Sequence, residues 1–157
     1  MLFRSGPTIT SSSTNISCNG ANNGTGTASA SGGLPPYTYL WDDPGAQTTS
    51  TAVALAVGTF NVSVSDTSGC ISIGTITITE PPALGLSLIS SPAACGISDG
   101  VATATVSGGT GNYTYSWSPT GGVSGIAAGL AAGTYTLLVM DSAGCTISDS
   151  VIIANSG

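Results

Sequence analysis

The chain has 157 residues, of which only 5% are charged: one Lys or Arg, seven Asp or Glu and no His, for a net charge of −6. The lone cation, Arg4, cannot neutralise a phosphate backbone or hold an anionic membrane surface, each of which takes many basic contacts, so no nucleic acid partner is expected. Without His or Lys, general-base chemistry would fall to Asp42, Asp43, Asp66, Glu80, Asp99, Asp141 and Asp149 alone, and the reading is that of a protein that is not an enzyme and has no cofactor or metal.

The opening "MLFRSG" is too short for a signal peptide, so any export signal is expected to be removed or to lie outside the chain. No apolar run approaches the length of a membrane span, so no membrane insertion is expected. From there on Thr, Val, Ile and Tyr are abundant, helix formers are scarce, and short alternating runs are broken by Gly, Pro, Asn and Asp. These runs predict strands near 8–14, 25–31, 37–42, 50–55, 59–66 and 70–79. A second set follows near 84–90, 101–107, 113–118, 125–130, 134–141 and 145–154.

The two sets are copies of each other. "SGGLPPYTYLW" (31–41) returns as "SGGTGNYTYSW" (107–117), "LAVGTF" as "LAAGTY" and "DTSGC" as "DSAGC", at a period of about 75 residues. The joint is "TEPPAL" (79–84), whose prolines cannot continue a strand's hydrogen bonding. The predicted domains are 1–80 and 81–157. Six or seven short strands in about 75 residues is the pattern of a small immunoglobulin-like sandwich, so the fold class is all-β with two tandem immunoglobulin-like β-sandwich repeats.

Alternation assigns the faces. Tyr37, Tyr39 and Trp41 share one side of their strand, as do Tyr113, Tyr115 and Trp117, and Tyr39, Trp41, Tyr115 and Trp117 are the predicted aromatic core. A sugar-stacking platform is the competing use, set aside because these are the largest apolar groups the chain has to bury. Phe60, Val62 and Val64 match Tyr135, Leu137 and Val139, while Leu55 and Leu130 close the interior. On the opposite face Leu138 and Met140 stand where the first copy has Ser63 and Ser65, an apolar pair that marks a possible interface.

The run "CNGANNGTGTASASGGLPPYTYLW…LAVGTFNVSVSDTSGC…TITITEPPAL" resembles the SprB repeat, a module of Bacteroidota gliding-motility adhesins, and "CGISDGVATATVSGGTGNYTYSW…LAAGTYTLLVMDSAGC" matches it at the same landmarks. The second copy departs by carrying Gly111-Asn112 in place of the double proline. The resemblance implies a secreted or cell-surface, non-catalytic role in adhesion, motility or filament formation. Copies of itself or neighbouring repeats are the implied partners. The alternative is a glycan-binding module, with surface glycans as partner.

Further features are weighed against ordinary turn use. "NGANNG" and "GISDG" offer oxygens to a calcium ion, but Asp99 is the only carboxylate in either loop. Asp66 and Asp141 open turns that close on glycine, which is standard turn chemistry. Sequons at Asn15, Asn23, Asn61 and Asn112 matter only in a eukaryote. "DSA" and "DSV" are similar to the Bacteroidota O-glycosylation acceptor, making Ser142 and Ser150 candidate sites, with Thr67 in "DTS" a weaker one.

An export context favours disulfides among Cys18, Cys70, Cys95 and Cys145. Pairing within units is the simple option. In an immunoglobulin-like sandwich, however, Cys18 follows the first strand at one end while Cys70 follows the turn at the other. Roughly 20–30 Å of strand separates them, against the 7 Å or so between Cα atoms that a disulfide allows. A segment "CNGANNG" running extended back along the domain would restore the within-unit pairing. The expectation leans toward Cys18 with Cys145, and Cys95 with Cys70 of the next copy in a head-to-tail stack.

Overall fold

A computed structural model describes residues 6–157; Arg4, with the rest of the opening "MLFRS", lies outside them. The chain divides into two units, Met1–Glu80 and Pro81–Gly157. No helix is formed by the described residues, so none is long and apolar enough to cross a membrane.

The first unit has six strands: β1 (Thr8–Thr14), β2 (Gly24–Ser31), β3 (Thr38–Trp41), β4 (Thr51–Leu55), β5 (Gly58–Ser65) and β6 (Ile71–Ile78). They pair antiparallel into two sheets, β1-β2-β4 and β3-β5-β6. The Ser11 and Ser13 hydroxyls of β1 donate to the Thr75 and Thr77 carbonyls of β6, each at 3.2 Å, and close one flank. Placing the first, second and fourth strands against the third, fifth and sixth is the immunoglobulin-like arrangement. Each strand alternates inward and outward side chains, so the inner faces meet in one core of Ile16, Ala28, Trp41, Ala52, Leu55, Val62, Val64, Ile76 and Ile78.

The second unit repeats the plan. Strands β7 (Gly85–Ser91), β9 (Gly100–Ser107) and β11 (Ile126–Leu130) form one sheet; β10 (Tyr113–Ser118), β12 (Gly133–Asp141) and β13 (Thr146–Ile153) form the other. Its core gathers Ala93, Ala102, Trp117, Ala127, Leu130, Tyr135, Leu137, Val139 and Ile153. Each fully buried Val, Leu or Ile among these stabilises its unit by about 1.5–3 kcal/mol relative to exposure. Two short strands, β8 (Ala93–Ala94) and β14 (Asn155–Ser156), pair in parallel and have no counterpart in the sequence reading.

The aromatic assignment needs one correction. Trp41 and Trp117 are buried, and each indole N–H donates inside its own unit, to Thr49 O at 2.9 Å and Ser124 O at 3.0 Å. Tyr39 and Tyr115 are half-buried, packed against the cores but not enclosed by them. The physical reason is position: β3 and β10 are edge strands, and the loop after each folds back over its Trp, with Trp41 N–H donating to Gln47 O and Trp117 N–H to Gly122 O, while the Tyr ring two residues earlier keeps a wet side.

Candidate functional site

The most connected polar centre in each unit is a buried aspartate, which the sequence reading treated as turn chemistry alone. Asp66 does close the turn, with Gly69 N–H donating to its carbonyl at 3.0 Å. Its carboxylate also accepts the N–H groups of Ser68 and Cys70 at 2.9 and 3.0 Å, the Ser68 hydroxyl at 2.6 Å and the Leu34 N–H at 3.0 Å. Asp141 repeats this, accepting from Ala143 and Cys145 N–H at 2.9 Å each and from Thr110 N–H at 2.8 Å. Only 7% of Asp66 and 4% of Asp141 is exposed.

These carboxylates tie the "D-x-x-G-C" turn to the "SGG" loop and explain the second glycine of that loop. Gly33 and Gly109 have φ of 60° and 66°, and a Cβ on either would strike the Asp66 or Asp141 Oδ2 atom. The Tyr37 and Tyr113 hydroxyls then donate to Gly32 O and Gly108 O, each at 2.6 Å. The sequence signal was present, since "SGG" and "D-x-x-G-C" recur together, but nothing in either stretch says that they touch.

The ionised state is favoured at both positions. For Asp66 the Ser68 hydroxyl contributes most, burial opposes, and the backbone N–H groups add to the lowering. For Asp141 burial works against the charge and is outweighed by the N–H groups of Cys145, Thr110 and Ala143. Both therefore hold their pKa below the ordinary aspartate value. Each is held by hydrogen bonds from its own turn and from the loop it braces.

Asp43 forms a third such centre, present in the first unit only. Its carboxylate accepts Gly45 N–H at 2.9 Å, Gln47 N–H at 3.0 Å and the Gln47 side-chain amide at 3.1 Å. Burial raises its pKa, but the Gln47 and Gly45 bonds more than offset this and hold it down. The Gln47 amide in turn pairs with β4, donating to Val53 O and accepting from Val53 N–H, each at 3.0 Å. Beside it lies a shallow apolar cleft of about 450 Å³ lined by residues that include Val53, Leu55 and Phe60.

The remaining candidates are scattered. Ser142, Ser150 and Thr67 are exposed; the Ser142 hydroxyl donates to Thr110 O, that of Ser150 shares a 2.8 Å hydrogen bond with Thr136, and that of Thr67 donates to Leu34 O at 2.9 Å. Leu138 and Met140 point outward from β12, 46% and 42% exposed. The "NGANNG" loop is braced internally, Asn23 Oδ1 accepting Ser17 N–H at 3.2 Å, and Asp99 accepts Ala94 N–H at 2.7 Å. No group of three or more metal-ligating side chains forms among the described residues.

Each unit carries its two cysteines at opposite ends. In the first, Cys70 immediately precedes β6 and lies against Gly6, while Cys18 follows β1 in a turn whose Gly20 N–H is held by Glu80, beyond the far end of β6. The second unit has Cys145 immediately before β13 and Cys95 in the turn after β8, whose Ala93 N–H bonds Ala154 O beyond the end of β13. The eight residues of β6 or β13 span roughly 25 Å, so no within-unit disulfide can form. Cys18 is disulfide-bonded, as is Cys145, and Cys70 and Cys95 are free thiols.

Two immunoglobulin-like sandwiches built on one plan, each with its own core and its own aspartate clamp, define a tandem-repeat β-sandwich protein. The family model of the SprB repeat matches one stretch in each unit, residues 10–46 and 87–122. No curated protein matches the chain. Among solved structures, it is similar to the N-terminal eight Ig domains of Down syndrome cell adhesion molecule, with 16% identity over 96% of this chain and 25% of that one and a TM-score of 0.46. A C-terminal intimin fragment, solved with the intimin-binding domain of its translocated receptor, matches at 17% identity over 96% of this chain and 64% of that one, TM-score 0.49. The BSP domain of a biofilm-associated protein matches at 15% identity over 94% and 30%, TM-score 0.31. The chain thus spans less than two thirds of each of these structures.

Proposed function

We propose that this chain is a non-catalytic structural repeat module of an extracellular fibre or cell-surface adhesin, joined head to tail with neighbouring repeats of its own kind. The observation that carries this reading is the placement of the two cysteines of each unit at opposite ends, in a chain whose repeat is of the SprB type. A cysteine at each end suits a thread in which every repeat is stapled to the next, and Cys95 would join Cys70 of the following copy. Disulfides of this kind persist in oxidising, extracellular surroundings. The polar centres support the same reading, because every buried carboxylate is occupied in bracing a loop.

Electron microscopy and solution scattering of the oxidised protein, with a glycan array run in parallel, test the proposal. Long regular rods with no glycan signal are expected. Compact monomers that bind a glycan would overturn it in favour of a carbohydrate-binding module.

A further inference from the structure

The third strand of each unit, β3 or β10, is a sheet edge, and an unguarded edge recruits other strands. The units differ in how they guard it. In the first, Pro35–Pro36 precede β3 and shorten it to four residues, and Asp42 closes its far end, its carboxylate accepting Asn61 N–H at 2.7 Å and the Asn61 side-chain amide at 2.8 Å. In the second, Gly111-Asn112 replace the prolines, β10 runs for six residues, and no charged residue occurs from Gly100 to Met140.

Trp117 shows which backbone groups face outward along that edge. Trp117 N–H turns away from β12 and donates to Gly122 O at 3.2 Å. By alternation Tyr113 and Tyr115 turn their backbone groups the same way, and no described residue bonds them there. Beside them Thr114 and Ser116 are exposed and small, and across the ladder Met140 and Leu138, opposite Thr114 and Ser116, give the outer face an apolar stripe.

We propose that the β10 edge is a lateral self-association surface, which takes β10 of a second copy in antiparallel register about Tyr115. Charge selects this occupant. A chain of net charge −6 repels its own copies, and the edge lies within its longest uncharged stretch, so two copies can approach here without opposing like charges. Pairing about Tyr115 joins its N–H and C=O to those of the partner's Tyr115 and brings Thr114 opposite the partner's Ser116. It fuses two three-stranded sheets into one of six and operates sideways, independently of any joining of repeats end to end.

Sedimentation velocity over a concentration series tests this on the full chain, with Cys70 and Cys95 alkylated under non-reducing conditions so that thiols take no part. The unsubstituted chain should dimerise with a dissociation constant below about 1 mM. Thr114→Glu with Ser116→Glu places like charges directly across the joint and should weaken the dimer by about tenfold or more. Mixing that variant with the Thr114→Lys, Ser116→Lys variant should restore association as a heterodimer, while Thr38→Glu with Leu40→Glu on β3 should change nothing. Circular dichroism and Trp fluorescence confirm that each variant is folded. A chain that stays monomeric throughout, a dimer that survives the β10 glutamates, failure of the mixed pair, or equal weakening by the β3 pair would each overturn the proposal.

Discussion

The two units share a core plan but brace it differently, and the difference shows which residues the fold requires. Common to both are the Trp on the third strand, the small residues on the second, and the aspartate that clamps the "SGG" loop. The loop after the third strand is where they part. In the first unit "DDPGAQ" carries Asp43 and Gln47, whose side chains hold the loop and cover the edge at Val53. In the second, "SPTGGVS" has neither, and the Ser124 hydroxyl makes the local bonds, to Ile126 O and from Ile126 N–H. Ala54 sits in β4 at φ 56°, where its counterpart Gly129 in β11 sits at 69°. The first unit thus tolerates a strained residue beside a stronger polar network. The second uses glycine and a lighter one.

The largest expected effect falls on what the units share. Trp117→Ala removes a buried indole and should lower the stability of the second unit by about 3–5 kcal/mol, read from urea unfolding. A loss under about 1 kcal/mol would mean that the ring is not part of the core and would revive a sugar-stacking role. Next comes the clamp. Gly109→Ala puts a Cβ 2.7 Å from Asp141 Oδ2 at a backbone angle that favours glycine, so it should cost about 1–3 kcal/mol, and the same change at Gly122, where nothing lies within 4 Å, should cost less.

Acid sharpens the comparison further. Asp43, Asp66 and Asp141 all have folded pKa values below the ordinary one, so the stability they contribute is complete above the unfolded aspartate value, about 3.9. It is lost as pH falls below that value and through the lower folded values. Thermal melts should be flat from neutral pH down to about 5 and fall below about 4. Asp43→Asn should make only the first unit less acid-sensitive. The smallest change is Ala54→Gly, which relieves a left-handed backbone strain and should stabilise the first unit by about 1 kcal/mol, with Gly129→Ala costing the second a similar amount.

Much of this was legible because a half-buried strand writes its burial into alternate residues. The predicted runs at 8–14 and 113–118 coincide with β1 and β10, and the other long strands differ by a residue or two at their ends. What stayed hidden depends on three-dimensional neighbours. The clamp joins Asp66 to Leu34 across 32 residues, and local spacing shows only the turn at its foot. The half-burial of Tyr39 and Tyr115 follows from strand order, which alternation cannot give. Two-residue strands such as β8 and β14 are too short to alternate at all.

The claim that cysteines join each repeat to another, and never the two ends of one, is tested most directly by non-reducing peptide mapping of the oxidised, assembled protein. The account predicts a Cys18–Cys145 linked peptide together with a Cys70–Cys95 peptide that appears only on assembly. A Cys18–Cys70 or Cys95–Cys145 peptide would contradict it.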